Sequence, residues 1–258
     1  MKRKNSIFVV ALLVGWAGLC PLSAEAEPTR ITVRVIAKGA KFIGSSMGGV
    51  AIVVRDVDTD AILAQGVVRG STGDTDVIMT AGKRGTPLST PGAAAFTATL
   101  DLDEPRRVDI IAYGPRGQLQ GAARASVTHW LVPGRHVTGG DGVVLELPGF
   151  IVDVLEPGAH TFVARSAGKV RIDASITMMC GCSIAPGGLW NADEFTIMAQ
   201  VKRNGKLVRE QAMKYAGRFN RFTTDVDARR PGTYHVLVYA YDGKNGNTGV
   251  DATTFVVK

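Results

Sequence analysis

The chain alternates apolar and polar residues in short runs punctuated by glycine. Ile31, Val33 and Val35 alternate with Thr32 and Arg34, and Val50, Ile52 and Val54 follow a Gly-Gly pair. Phe96, Ala98, Leu100 and Leu102 alternate with Thr97, Thr99, Asp101 and Asp103. Val170, Ile172, Ala174, Ile176 and Met178 do the same against Arg171, Asp173, Ser175 and Thr177. Period-two alternation puts one face of a strand in a core and the other in water. No segment carries a long helical stripe, and 31 glycines break the runs, as in sandwiches and barrels. One short helix is expected near Glu210 to Tyr215, and STGDTD at Ser71 to Asp76 reads as a turn-rich loop.

Two domains fit the length better than one, because small β-sandwiches run near about 100 residues. The break falls at LELPGF, where Val143 to Leu147 reads as a closing strand and Ile151 to Leu155 as an opening one. Residues 27–149 and 150–258 are thus expected to be two tandem all-β sandwiches. No low-complexity linker or internal repeat stands out.

The second half ends in PGTYHVLVYAYDGKNGNTGVDATTFVV, with Tyr234, Val236, Val238 and Ala240 alternating before a Gly/Asn loop. This stretch resembles the last hairpin of bacterial immunoglobulin-like domains, and Tyr234 stands where such domains place a tyrosine before the penultimate strand. GGVAIVVRDVDTDAILAQGVVRGSTGD in the first half is similar to the opening hairpin of carboxypeptidase-regulatory-like or transthyretin-like sandwiches. Neither resemblance carries over a functional residue. The immunoglobulin-like resemblance implies a strand B at Lys169 to Met178 and a strand C at Phe195 to Lys202, with Asn204-Gly205 as a tight turn. The B–C loop, CGCSIAPGGLWNADE, and the F–G loop, GKNGNTG, then share one end of the sandwich. Cys180 and Cys182 are expected there beside Trp190, Asn245 and Asn247, in binding loops.

The first 26 residues change the picture of compartment. Met-Lys-Arg-Lys is followed by an apolar run from Ile7 to Cys20 and by small residues at Ala24 and Ala26. A charged start, a short apolar core and an A-x-A site describe a cleaved secretory signal. The run is shorter than the roughly 20 residues of a membrane span. Leu19 before Cys20 is bulkier than the residue usual in lipoprotein signals, so cleavage after Ala26 is expected. The mature chain is then periplasmic or secreted, with no transmembrane segment expected. Without residues 1–26 the chain loses Lys2, Arg3, Lys4 and Glu25 from its 30 basic and 23 acidic residues, leaving 27 against 22. That net charge of +5 is mild, and the bases lack the aromatic interleaving of a nucleic-acid surface. Lys202, Arg203, Lys206 and Arg209 flank a turn and read as a solvated hairpin edge.

An exported chain keeps two cysteines, Cys180 and Cys182, one glycine apart. Residues two apart in an extended strand span roughly 7 Å, whereas a disulfide needs Cβ atoms about 3.5–4.5 Å apart. A bend at Gly181 must close that gap. The expected bridge closes a small ring, labile and a poor staple. Two thiolates with Met179 or Met178 nearby also form a soft set suited to Cu(I), although the alternation places Met178 in the core. A third reading is an exposed pair that bridges to another exported protein.

Other candidates carry less. His129, Trp130 and His136 in THWLVPGRH read as loop packing. Asp242, Asn245, Asn247 and Asp251 are oxygen ligands at a spacing that fails the EF-hand pattern, so turn chemistry is expected. H-E-x-x-H and the P-loop are both missing from the sequence. The function these features support is an exported, non-catalytic binding or accessory protein. Its Cys-Gly-Cys loop end takes a soft metal of the copper type or another exported protein. Two alternatives stay open: thiol–disulfide exchange through Cys180 and Cys182, and a structural or adhesive surface role. The absence of Lys, Arg or His within five residues of the pair argues against strong thiol activation.

Overall fold

A computed structural model describes residues 25–80 and 85–258. The expected secretory signal, with Cys20, lies outside the described residues apart from Glu25 and Ala26. Seven strands follow: β1 (Glu27–Ala37), β2 (Val50–Asp56), β3 (Ile62–Val68), β4 (Phe96–Leu102), β5 (Arg106–Gly114), β6 (Ala123–Leu131) and β7 (Val143–Leu147). They form one sheet in the order β4-β1-β7 and a second in the order β3-β2-β5-β6. Ile31, Val33 and Val35 of β1 and Val50, Ile52 and Val54 of β2 are buried in one hydrophobic cluster. Period two in the sequence is thereby explained by two inner faces meeting across a sandwich.

The second sandwich begins after two intervening residues, Pro148 and Gly149. Its strands are β8 (Phe150–Glu156), β9 (Thr161–Val163), β10 (Lys169–Met178), β11 (Ile184–Ala185), β12 (Trp190–Asn191), β13 (Phe195–Arg203), β14 (Lys206–Ala212), β15 (Lys214–Tyr215), β16 (Arg221–Asp227), β17 (Gly232–Asp242) and β18 (Thr248–Val257). The main sheets run β15-β16-β10-β8 and β14-β13-β17-β18-β9, and β11 pairs with β12 in a small ribbon. β8 pairs antiparallel with β10 while β9 pairs parallel with β18, so the opening segment switches sheets. This is an immunoglobulin-like arrangement, with β10, β13, β17 and β18 as strands B, C, F and G.

Tyr234 supplies a second mark of that fold. Its hydroxyl donates to the Arg230 carbonyl at 2.9 Å, and its ring stacks on Phe255 at 4.7 Å. A tyrosine at this corner, bonded to backbone a few residues upstream, is a hallmark of such sandwiches. Between β13 and β14 the chain turns through Asn204 and Gly205, at φ 49° and 80°, the pair of positive φ angles that a type I′ hairpin demands. The chain is therefore an all-β protein built of tandem immunoglobulin-like β-sandwiches.

Three local expectations are corrected. Glu210 to Tyr215 is not helical: Glu210 to Ala212 pair with β13, Lys214 and Tyr215 pair with β16, and the buried Met213 lies at the crossing. Helix propensity is a weak prior, and two waiting sheet edges override it. A helix occurs instead at Thr75–Thr80, where Asp74 accepts from the Val77 N–H at 3.0 Å and caps the first turn. His129 and Trp130 belong to β6 rather than to a loop. No described helix is long and apolar enough to cross a membrane.

Candidate functional site

β10 ends at Met178, and the chain turns back within four residues. The Gly181 N–H donates to the Met178 carbonyl at 2.8 Å, and the Met178 N–H donates to the Cys182 carbonyl at 3.2 Å. Gly181 sits at φ 79°, a conformation disfavoured once a Cβ is present. This turn brings Cys180 and Cys182 to a Cα separation of 5.4 Å, and their sulfurs are joined as a disulfide. Both residues are buried, Cys180 to 1% exposure and Cys182 to 9%, so the pair does not stand out in solvent.

What covers the pair is the first sandwich. A 3-10 turn at Ser45–Met47 presses Met47 against the loop, and a Cβ built on Gly181 would stand 2.6 Å from Met47 Sδ. Met47 is held by its own carbonyl, which accepts from the Gly117 N–H at 2.9 Å. Met179 takes another direction: its methyl lies by Gly149, where a Cβ would stand 3.1 Å away. Met178 is buried in the core, in keeping with its place in the alternation.

The B–C and F–G loops share this end of the sandwich and both engage the same turn. Trp190 Nε1 donates to the Gly39 carbonyl at 3.0 Å. Asn247, fully buried, donates through Nδ2 to the Lys38 carbonyl at 3.0 Å and accepts at Oδ1 from the Gly149 N–H at 3.0 Å. Asn245 accepts from the Asn247 N–H at 2.8 Å, which fixes the loop. Lys244 and Glu194 pair across the two loops at 2.6 Å. The loops carrying Trp190, Asn245 and Asn247 thus form a polar-pinned junction with the first sandwich.

One side of the junction stays open. A groove of about 440 Å³ runs between the sandwiches, lined by Lys41 and Thr72 from one side and Cys182, Leu189, Trp190 and Phe219 from the other. Leu189 is 58% exposed and Phe219 67% exposed on its rim. Phe219 is positioned by Asn220, whose N–H donates to the Ile184 carbonyl at 3.0 Å and whose Oδ1 accepts from the Ile184 N–H at 2.7 Å. Lys41 Nζ donates to Thr75 Oγ1 at 2.9 Å.

Local reading of the sequence missed Met47, Lys41 and Phe219. Each lies more than thirty residues from the cysteines, and no spacing connects them. The oxygen ligands of the 242–251 stretch are engaged in the fold: Asp242 accepts from the Lys244 N–H at 2.8 Å and Asp251 from the Val154 N–H at 2.7 Å. Among the described residues no group of three or more His, Cys, Asp or Glu is arranged to hold a metal ion. His136 Nδ1 accepts from the Arg30 N–H at 3.2 Å.

No protein-family model matches the chain, and no curated protein matches it. Among solved structures it is similar to the fibronectin(III)-like modules of Clostridium thermocellum CbhA, at 11% identity and a TM-score of 0.28, covering 90% of this chain and 94% of that one. It is similar also to the titin domains z1z2 in complex with telethonin, at 12% identity and a TM-score of 0.27, covering 92% and 98%. An engineered protein aligns over 46% of this chain and 22% of its own length, at 16% identity and a TM-score of 0.32. Likenesses this distant carry no functional argument, and the fold assignment rests on strand order and on the Tyr234 corner.

Proposed function

We propose that the chain is an exported, non-catalytic binding or accessory protein that engages another exported protein through the groove beside the Cys180–Cys182 loop. One observation carries this reading: a disulfide and two exposed apolar side chains, Leu189 and Phe219, converge on a single groove between two sandwiches. Covering a side chain of that size contributes roughly 1.5–3 kcal/mol, so two of them supply a recognisable anchor. The first sandwich, which resembles carboxypeptidase-regulatory-like and transthyretin-like domains, acts as the platform that walls the groove.

A second reading, thiol–disulfide exchange, is favoured by Cys182 lining the groove. A partner thiolate attacks Cys182 Sγ, the bridge breaks, and Cys180 leaves as a thiolate that takes a proton from solvent. A second partner thiol, deprotonated, resolves the mixed disulfide; Cys182 departs reduced and the partner leaves oxidised by two electrons. Reduced in this way, the two sulfurs together with the Met47 thioether make a soft set of the kind copper(I) takes. Met47 replaces Met179 in that set, because Met179 packs by Gly149.

The test places a photo-crosslinking amino acid at Phe219 in the full chain in its native host, with and without Leu189→Asp. One exported protein should be captured, and Leu189→Asp should abolish its capture. No adduct, or an adduct indifferent to Leu189→Asp, overturns the groove as the binding face. Intact mass with thiol counting on the same material separates the chemistries. A two-hydrogen deficit reversed by mild reductant supports exchange, and two free thiols with an added copper mass replace it with metal delivery.

A further inference from the structure

The opposite end of the second sandwich holds a feature of a different kind. There the β13–β14 hairpin, the 164–168 loop and the 228–231 loop surround a cleft of about 580 Å³. Five arginines line it: Arg165, Arg203, Arg209, Arg229 and Arg230. Its apolar lining comes from Val201 and Val226, both buried, together with Val208.

The arginines are not equivalent. Asp227, the one carboxylate in the lining, accepts from the Arg229 N–H at 3.0 Å and from Arg229 Nε at 3.1 Å. The Arg229 side chain, and then its N–H, hold the Asp227 carboxyl well below the usual carboxylate range. Asp227 thus stays ionised, pairs with Arg229 and also feels the Arg230 charge, so one negative charge stands against five positive ones. Arg165 Nε donates to the Arg229 carbonyl at 2.8 Å, while its remaining donors are available. Arg203, Arg209 and Arg230 take part in no ion pair among the described residues. Like charges gathered on one cleft repel one another, and a bound anion relieves that repulsion.

The loop carrying two of these arginines is also pinned. Tyr234 holds the Arg230 carbonyl at 2.9 Å from below, and Arg165 holds the Arg229 carbonyl from the side. A loop fixed before binding loses less freedom on binding. Guanidinium forks match phosphate and sulfate oxygens in pairs, and an apolar floor suits the carbon body of an organic anion. The cleft volume falls within the range of about 300–1,000 Å³ usual for small-ligand sites.

The geometry points to an anion-binding site for an organic phosphate or sulfate ester, either as a free molecule, for which a sugar phosphate is the probe, or as the terminal unit of a sulfated glycan. It lies at the far end of the sandwich from the cysteine groove, and it stands or falls independently of the function proposed for that groove.

Calorimetric titration of the full chain tests it, with inorganic phosphate, glucose 6-phosphate, a sulfated disaccharide and a tetraglutamate peptide as probes. One or both sugar anions should bind at least tenfold more tightly than inorganic phosphate. Arg203→Glu with Arg230→Glu should weaken that binding tenfold or more, while Arg124→Glu on β6 leaves it within twofold. A preference for glucose 6-phosphate assigns the free sugar, and a preference for the disaccharide assigns the glycan. Equal affinity for all anions, tighter binding of tetraglutamate, or equal loss in Arg124→Glu overturns the site. Should the double variant fail to fold, amide shifts in the unaltered chain decide. Changes at Arg203, Arg209 and Arg230 support the site, and changes confined elsewhere refute it.

Discussion

The two ends of the second sandwich solve opposite problems. At one, the 179–194 and 243–247 loops are closed against the first sandwich by a buried asparagine, a tryptophan N–H and a methionine. At the other, five arginines stand around an open cleft with one carboxylate among them. Buried polar groups with full partners stabilise and specify an arrangement, whereas exposed charges add little to stability. The comparison teaches that the cysteine motif, the most conspicuous feature of the sequence, sits at a pinned junction with a groove open on one side. The arginines, scattered through the sequence, gather around a cleft that no other element fills.

Substitutions can sharpen that contrast, beginning with the largest effect. Gly181→Val forces a branched side chain into a left-handed conformation and against Met47. The conformational cost is roughly 1–2 kcal/mol and overpacking adds about 1–3 kcal/mol. Urea denaturation should show the loss, and Met47→Ala should recover part of it in a double-mutant cycle. Recovery of nothing would mean that Met47 does not press on the loop. Asn247→Leu comes next, since it strands the Gly149 N–H and the Lys38 carbonyl at the joint. A buried group left unpaired costs about 1–3 kcal/mol, and thermal unfolding should report it; an unchanged Tm would show that the joint is wet.

At the open end the stability effects shrink. Tyr234→Phe removes only the hydroxyl bond to Arg230, worth about 0.5–1.5 kcal/mol, and should also loosen anion binding in the calorimeter. Arg203→Glu should leave stability within about 0.5 kcal/mol; a larger loss would make the arginine cluster structural. The smallest effect is a matter of pH. Burial first, and the Asp251 charge second, push the Asp153 carboxyl up. A raised carboxylate favours folding below its ordinary range, and that contribution fades as pH rises through the folded value. Asp153→Asn should therefore raise Tm slightly at neutral pH and leave it unchanged near about pH 3, where both states are protonated.

Much of the fold was legible from period alone. Val170 to Met178 and Tyr234 to Ala240 alternate because each strand has one dry face, and both stretches are strands with those residues inward. Asn204-Gly205 announced its turn because few residue pairs tolerate two positive φ angles. Glu210 to Tyr215 misled because its composition suits a helix while two sheet edges compete for its backbone. The bend at Gly181 could be required from distances along an extended chain. The burial of the cysteines could not, since Met47 reaches them across more than a hundred residues.

The sequence by itself determined the strands that alternate cleanly and the tight turn at Asn204-Gly205, because alternation and positive-φ demands act over a few neighbouring residues. Tertiary structure alone decided that Met47 caps the Cys180–Cys182 turn and that Arg165, Arg203 and Arg230 meet around one cleft. Contacts between residues so far apart depend on how two sheets stack and which loop ends coincide, and no local pattern along the chain records that.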